Sequence, residues 1–295
     1  MAELLGLYRY PVKSMLGESL TEGLLGPAGV LGDRGYAVVD EADGKMASAK
    51  NPRKWAALLG FSASYVDEPV ADAELPPVAI TFPDGSVVRS DAADCDGRLS
   101  QALGRQVHLA RSGADEERRN LEEVWPDIDG LAPDEFIAQT TVDHQPSGEA
   151  VSDIPAGMFA PPGSFFDLSV IHLLTTATLA RLQELAPEAT FDARRYRPNL
   201  LLDDAGDGFV ENDWVGRTVT VGGDGAGVTV TLPTMRCVMT TLPQQDLPQD
   251  RLTLRTIAQS NRLEIMGFGT WACAGAYADV ASPGRVRVGD GVVVN

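Results

Sequence analysis

Short runs of apolar residues, separated by turn residues, dominate the first third of the chain. Pro83-Asp84-Gly85 joins two of these runs, and this is typical of a hairpin because Asp and Gly tolerate the positive φ of a tight turn. We predict one helix from Asn51-Pro52 to Leu59 and a second that Asp91 caps and Gly104 ends. The predicted strands of this region lie at 4–10, 36–40, 61–66, 78–82 and 86–89.

Two polar stretches interrupt the middle of the chain. Residues 112–123 (SGADEERRNLEE) are dense in charge and offer little to bury, so we expect a linker or an exposed connection. Residues 144–163 are rich in Pro and Gly and lack periodicity, which predicts a long loop.

Apolar runs return after Phe165. Residues 170–174 read as a buried strand, and Thr175 or Thr176 caps a helix that ends before Pro187. A short helix is expected at 252–259, and further strands at 199–202, 218–221, 228–232, 271–277, 285–288 and 292–294. Many short strands, few helices and no regular βαβ alternation predict a mixed α/β, mainly β fold with a barrel or sandwich core and peripheral helices.

The charge balance excludes some partners. The 295 residues include 24 Lys+Arg against 42 Asp+Glu, a formal net charge of −18. This charge repels phosphate backbones and anionic headgroups, so we expect neither nucleic acid nor a membrane as partner. The N-terminus lacks the apolar run of a signal peptide, and no stretch is apolar for long enough to span a membrane, so a cytoplasmic location is expected.

Cysteine chemistry centres on Cys237. The three cysteines form no CxxC pair, which gives no support to a zinc ribbon, a disulfide scaffold or an iron–sulfur cluster. Cys237 follows a strand, and its neighbour Arg236 would favour the thiolate, the form that attacks electrophiles and binds soft metals. From spacing alone the alternative is a small buried apolar side chain, the interpretation that we favour for Cys95 and Cys273.

Cationic residues cluster at two other places. Residues 194–199 (RRYRPN) reverse the local sign of charge, and Arg forks suit phosphate or carboxylate groups; the alternative is a solvated basic loop that pairs with surface carboxylates. Lys13 and Ser14 end the first strand, and Arg34 precedes the second. His172 lies in an apolar strand and is expected to be a hydrogen-bonded core residue, and no three-ligand metal set stands out.

These motifs together resemble the MOSC family, named for the C-terminal domain of molybdenum cofactor sulfurase. Residues 10–14 (YPVKS) and 32–34 (GDR) are similar to the N-terminal β-barrel module that often precedes that domain. The MOSC domain itself is resembled at 195–200 (RYRPNL), 236–241 (RCVMTT), 267–269 (GFG) and 283–290 (PGRVRVGD). The resemblance implies an N-terminal barrel-like domain over 1–120 and a MOSC domain over 121–295.

The resemblance also implies a molybdenum cofactor, molybdopterin, which is a pterin with a dithiolene and a terminal phosphate. Cys237 would be the thiolate ligand to molybdenum and the catalytic residue. The pterin and its phosphate would be held by Lys13, Ser14, Arg34, Arg197 and Asn199, with further contacts from Thr175, Arg236, Thr240 and Thr241.

The best-known reductase members of the family reduce N-hydroxylated compounds such as amidoximes. We therefore expect an oxidoreductase that acts on an N-oxygenated small molecule. Because the scattered cysteines cannot ligate an iron–sulfur cluster, the electrons would come from a separate protein. The alternative is a cofactor carrier, or a sulfur carrier or sulfurtransferase-type protein that uses Cys237 without reductase turnover.

Overall fold

Strands form most of the regular structure of the chain. The computed structural model describes residues 2–113, 118–204, 206–265 and 267–295. Its strands are β1 (Ala2–Arg9), β2 (Glu18–Leu20), β3 (Glu22–Gly26), β4 (Gly29–Val30), β5 (Tyr36–Asp40), β6 (Ser62–Tyr65), β7 (Val78–Thr81), β8 (Val87–Arg89), β9 (Val107–Arg111), β10 (Asn120–Val124), β11 (Thr141–His144), β12 (Ala150–Pro155), β13 (Ile171–Thr175), β14 (Leu200–Asp203), β15 (Thr218–Val221), β16 (Ala226–Met235), β17 (Arg262–Ile265), β18 (Gly269–Ser282), β19 (Gly284–Arg287) and β20 (Gly291–Val294). The helices are α1 (Pro52–Trp55), α2 (Cys95–Leu103), α3 (Asp134–Thr140), α4 (Thr176–Leu185) and α5 (Leu252–Ser260).

Seven strands close into a barrel. Their order is β13-β14-β1-β20-β15-β16-β18, and β18 pairs back with β13 to complete the ring. Alternation explains the packing of β15, in which Val219 and Val221 are fully buried while Thr218 and Thr220, on the other face, are half-buried. The interior is filled by aliphatic side chains, among them Leu7, Leu173 and Leu200. The predicted mainly β fold with a barrel core and added helices is confirmed.

The first strand belongs to this barrel. β1 pairs antiparallel with β14 through Leu7 and Leu200 and with β20 through Ala2 and Val292. The start of the chain therefore shares a sheet with strands that lie beyond residue 170. The division of the chain into domains at residue 120 stays a prediction.

Strands β5 to β9 form a separate apolar cluster, whereas β2 pairs with β1 and β3 and β4 form a small sheet with β19. β5 pairs with β9, β6-β7-β8 form an antiparallel meander, and side chains such as Trp55, Phe61 and Ile80 pack among them. This part also contacts the C-terminal half, because Ala49 and Leu59 pack with residues 238–242. The segment after Cys237 is thus held between the two halves.

An additional layer is built from residues 120–155. β10, β12 and β11 form an antiparallel sheet in that order, and α3 precedes β11. Its side chains pack against the β18 side of the barrel, where Trp125 and Phe136 meet Trp271. This layer becomes the wall of a cavity described below.

The structure corrects three predictions. Helix α2 begins after Asp94 rather than Asp91, although Gly104 ends it in the left-handed region at φ 66° as expected. The predicted linker at 112–123 runs into strand β10, and its residues 114–117 lie outside the described ones. The predicted loop at 144–163 contains β12, because pairing with β10 and β11 satisfies its backbone. None of the described helices is long and apolar enough to cross a bilayer.

Candidate functional site

A polar cavity of about 90 Å³, here called the thiol cavity, lies where the first strand ends and the fourteenth begins. β1 and β14 are antiparallel and β13 is parallel to β14, so the end of β1 and the starts of the other two meet at one rim of the barrel. Of the predicted site residues, eight line this cavity: Lys13, Ser14, Arg34, Arg197, Asn199, Arg236, Cys237 and Thr240.

Backbone hydrogen bonds bring the N-terminal motifs together. Lys13 N–H donates to the Tyr36 carbonyl at 2.9 Å, and Arg34 N–H donates to the Tyr10 carbonyl at 2.9 Å. Ser14 Oγ accepts a hydrogen bond from Ala49 N–H at 3.1 Å, so its own hydroxyl hydrogen is free to donate to a ligand. Motifs twenty residues apart in the sequence therefore present adjacent donors.

Asn199 ties three segments together. Its Nδ2 donates to Asp33 Oδ2 at 2.8 Å, and its Oδ1 accepts from His172 N–H at 3.1 Å. Its side-chain amide is thus engaged on both sides within the protein. Asn199 lines the cavity as predicted, but these bonds make it a residue that positions its neighbours.

Three residues with positive φ surround the cavity. Ser14, Arg34 and Arg197 have φ values of 62°, 48° and 55°, a region that L residues rarely adopt. They are three of the five non-glycine residues with positive φ in the described part of the chain. Such conformations persist where the surrounding structure enforces them, and they concentrate at ligand sites.

Arg197 is a buried cation whose charge has no carboxylate partner in the described structure. Its guanidinium lies 4.2 Å from the centre of the Tyr10 ring, and that of Arg34 lies 4.5 Å from the same ring. Burial and the neighbouring Arg34 charge lower the pKa of Arg197 to about 10. Its Nη1 is buried and makes no hydrogen bond in the described structure. An unsatisfied buried donor of this kind is costly unless a ligand acceptor meets it.

Arg236 is used by the protein itself. Its Nε donates to the Ala274 carbonyl at 2.8 Å, its Nη1 donates to the Tyr196 carbonyl at 3.2 Å, and its Nη2 contacts His172 Nε2. Gly275 at φ 81° permits this packing, since a Cβ there would lie 2.5 Å from His172 Nε2. His172 is buried as predicted, and burial together with the Arg236 charge holds its pKa well below the usual range, so it is a neutral acceptor.

Cys237 lines the cavity and is partly exposed, whereas Cys95 and Cys273 are buried as predicted. Burial raises the pKa of the Cys237 thiol to about 11, and the opposing charge is that of Lys50. The expectation that Arg236 would favour the thiolate is therefore not supported. The free thiol is protonated at neutral pH, and a bound metal ion would be needed to deprotonate it.

Two ion pairs that the sequence did not reveal complete the walls. Lys13 pairs with Asp167 and also donates to the Phe165 carbonyl at 2.8 Å. Lys50 pairs with Glu123 at 3.0 Å, and despite burial this carboxylate raises the pKa of Lys50 well above its usual value. No local motif marks Lys50, Glu123 or Asp167, because each comes from a different loop or strand end.

The three predicted threonines have different places. Thr240 lines the cavity, and its hydroxyl donates to the Cys237 carbonyl at 3.1 Å. Thr175 is not among the lining residues, because it is the buried N-cap of α4, where it accepts from Thr178 N–H and donates to Glu211. Thr241 also lies outside the lining, and its hydroxyl donates to the Val238 carbonyl at 2.8 Å.

The donor set fits a metal that brings its own ligands. The described residues contain no group of three or more His, Cys, Asp or Glu that could hold a metal ion. A single thiol beside an unsatisfied arginine donor suits a soft metal on an anionic organic carrier. The cavity chemistry therefore matches a molybdenum–pterin cofactor better than a bare metal ion.

Two family models match separate parts of the chain. A family model described as the MOSC domain matches residues 162–293, and one described as the MOSC N-terminal beta barrel domain matches residues 1–67. No match was found among curated proteins.

Two solved structures are similar to this chain, one over nearly its whole length and the other over less than half of it. The YuaD protein from Bacillus subtilis is 10% identical, with 99% of this chain and 94% of that chain covered and a TM-score of 0.45. YiiM from Geobacillus stearothermophilus is 21% identical, with 43% and 54% covered and a TM-score of 0.29. Values this low carry no argument about function, whereas the two family matches contain the cation and thiol motifs of the cavity. The chain belongs to the MOSC domain family and carries the MOSC N-terminal β-barrel domain.

Proposed function

We propose that this protein is a molybdenum-cofactor-dependent oxidoreductase that reduces N-hydroxylated or other N-oxygenated small molecules. The observation that carries the proposal is the thiol of Cys237 in one cavity with the buried, unpartnered Nη1 of Arg197. The thiol is a soft metal ligand, and the unpaired arginine donor can bind an anion. The expected setting is the cytoplasm, with electrons delivered by a separate protein.

Each cavity residue has a role in this proposal. Cys237 would ligate molybdenum, while Arg197, Arg34 and the Ser14 hydroxyl would hold the phosphate and the pterin. Arg236, His172 and Asn199 would keep these groups in place through their hydrogen bonds to the barrel rim. When bound, the cofactor supplies the redox chemistry, and the protein supplies position and electrostatics.

The proposed reaction has a simple balance. In the reduction of an amidoxime, the N–O bond breaks, two electrons come from the donor protein, two protons are taken up, and water leaves. The raised pKa of Cys237 is compatible with this role, since a metal ligand need not be a thiolate before the metal binds.

Metal analysis tests the ligand assignment first. Protein made in a host that synthesises the molybdenum cofactor is expected to contain molybdenum, and Cys237→Ser is expected to lose most of it. Cys95→Ser is the matched control, because Cys95 is buried in α2 and does not line the cavity. Metal-free wild type, or full occupancy in Cys237→Ser, would reject the assignment.

The second candidate is a carrier of the cofactor or of sulfur on Cys237. A carrier needs the same cation and thiol sites but no turnover. Reduction of an amidoxime by the loaded protein with an artificial electron donor is the deciding assay. Turnover supports the reductase, and its absence in molybdenum-loaded protein favours the carrier.

A further inference from the structure

A second cavity adjoins the thiol cavity and is lined mainly by aromatic and apolar side chains. It has a volume of about 290 Å³, and its walls include Trp125, Phe136, Met158, Phe159, Phe268 and Trp271. The rings meet edge to face or tilted, with centroids 5.0 Å apart for Phe136 and Trp271 and 5.8 Å apart for Trp125 and Trp271. We call it the aromatic cavity.

The two cavities share part of their walls. Lys50, Asp167, Met235, Arg236 and Tyr277 line both. The two cavities are therefore separated by one layer of side chains. A ligand in the aromatic cavity would contact these shared side chains directly. Met158 and Phe159 are almost half exposed and form part of the aromatic cavity's outer edge.

Half of the aromatic side chains that line this cavity come from a segment that neither family model matches. Trp125, Phe136, Met158 and Phe159 all lie between residues 67 and 162, in the layer of β10–β12 and α3 and the loop after it. The cation and thiol motifs lie inside the matched ranges. The aromatic cavity therefore adjoins the matched motifs and is built partly from residues outside both matched ranges.

The chemistry of the walls favours an uncharged ring. A dry apolar cavity of about 150 Å³ is enough to bind benzene, so this one accommodates a substituted ring. The charged residues that line it are two cations, Lys50 and Arg236, and two carboxylates, Glu123 and Asp167, so the lining has no excess charge to attract an ionic ligand. The pterin is polar and anionic, and the cations that would match it, Arg34 and Arg197, line the thiol cavity and not the aromatic cavity.

We propose that the aromatic cavity binds the ring of an uncharged aromatic ligand whose polar end lies toward Cys237. The identity of the ligand rests on the proposed function: if the protein is the reductase, the ligand is its substrate, an aromatic N-oxygenated compound. The aromatic wall then sets specificity, and the thiol cavity supplies the reacting centre.

Two probes with the same N-oxygenated group test the proposal. Benzamidoxime carries a phenyl ring where acetamidoxime carries a methyl group. Trp125 and Trp271 line the cavity, so binding is followed by tryptophan fluorescence in the full chain, both without and with the cofactor. We expect benzamidoxime to bind on the order of tenfold more tightly in both forms, because only the phenyl ring fills the aromatic cavity. Equal affinities, or a preference lost when the cofactor is bound, would overturn the proposal.

Substitutions in the aromatic cavity test whether the preference for benzamidoxime arises there. Phe136→Ala and Phe159→Ala are expected to remove most of the preference for benzamidoxime while leaving the affinity for acetamidoxime unchanged. Phe159 is 46% exposed, so its variant folds even if Phe136→Ala does not. Val142→Ala is the control, since Val142 lies in β11 but outside both linings. An unchanged preference in Phe159→Ala would place the ring elsewhere.

The outcomes separate the two proposals. A ring preference in protein that reduces neither probe supports the aromatic site and rejects the reductase. Reduction of both probes without a ring preference supports the reductase and rejects the aromatic site.

Discussion

Two kinds of buried cation line the thiol cavity, and they differ in what neutralises them. Lys13 and Lys50 each have a carboxylate, Asp167 and Glu123 respectively. Arg197 is only 8% exposed, yet in the described structure it has no carboxylate and its Nη1 makes no hydrogen bond. We propose that the carboxylate-paired lysines stabilise the fold, whereas the unpaired Arg197 is available to bind an anion. We therefore expect stability and ligand binding to depend on different cations of the same cavity.

The largest expected effect is on the stability of the fold, when the ion pair of Lys50 and Glu123 is broken. Glu123→Gln removes the paired carboxylate of the largely buried Lys50, and we expect the free energy of unfolding to fall by about 3 kcal/mol. Urea denaturation of the apoprotein measures it. The control is Asp91→Asn, which breaks the exposed Arg89 pair and should leave the denaturation midpoint unchanged. Equal midpoints for Glu123→Gln and wild type would remove the distinction between the two kinds of cation.

The next largest expected effect is on cofactor binding, when the unpaired Arg197 is replaced. Arg197→Met keeps an apolar stem against Tyr10 but removes a charge-assisted donor, so cofactor binding should weaken by about 1.5 to 3 kcal/mol. The apoprotein should be as stable as wild type or more stable, since a buried unpaired charge is lost.

Cofactor retained after dialysis, measured as molybdenum content, checks this expectation. Arg194→Met is the matched control, because Arg194 lies in the same segment but pairs at the surface with Asp192 and Asp246. If both variants retained the cofactor equally well, Arg197 would not be the anion contact.

The smallest expected effect is a pH dependence of the folding stability, which arises from His172, the residue that accepts a hydrogen bond from Arg236. The pKa of His172 in the folded chain lies well below its usual value of 6.5. Below pH 6.5 the unfolded chain therefore binds a proton at His172 that the folded chain does not bind. The His172 contribution is complete above pH 6.5 and is lost as the pH falls toward the folded pKa. Between pH 6.5 and 5.5 this costs about 1 kcal/mol of stability.

His172→Gln keeps an acceptor for Arg236 but cannot titrate. Its stability should therefore fall less than that of wild type over the same pH interval, by about 1 kcal/mol. Denaturation curves at the two pH values give the comparison. Parallel losses in both proteins would mean that His172 is protonated in the fold and does not accept from Arg236.

Local pattern was enough to predict much of the strand content and several of the site motifs. Buried alternation and turn residues identified β5, β15 and the hairpin of β7 and β8 almost to the residue. The pattern failed for β10 and β12, whose polar residues resemble a linker and a loop. These strands form because they pair with each other and cover the aromatic residues of β18, a contact that no local window contains.

The three arginines of residues 194–197 show the same limit within the site. Arg194 pairs with surface carboxylates, and Arg195 donates to the carbonyls of Leu242 and Pro248. Only Arg197 is left with a buried free donor. The sequence showed a basic cluster but could not distinguish a surface pair, a structural tie and an anion contact.

Residue types and their order along the chain determined that this protein is mainly β, that it has one candidate soft-metal ligand in Cys237, and that cations accompany it. These properties are encoded locally, in periodicity, turn chemistry and motif. Tertiary structure alone decided which cations are neutralised, that the thiol pKa is raised, and that an aromatic cavity adjoins the thiol. Burial and pairing depend on side chains brought together from distant segments, and the free energies that they control exist only once the barrel has closed.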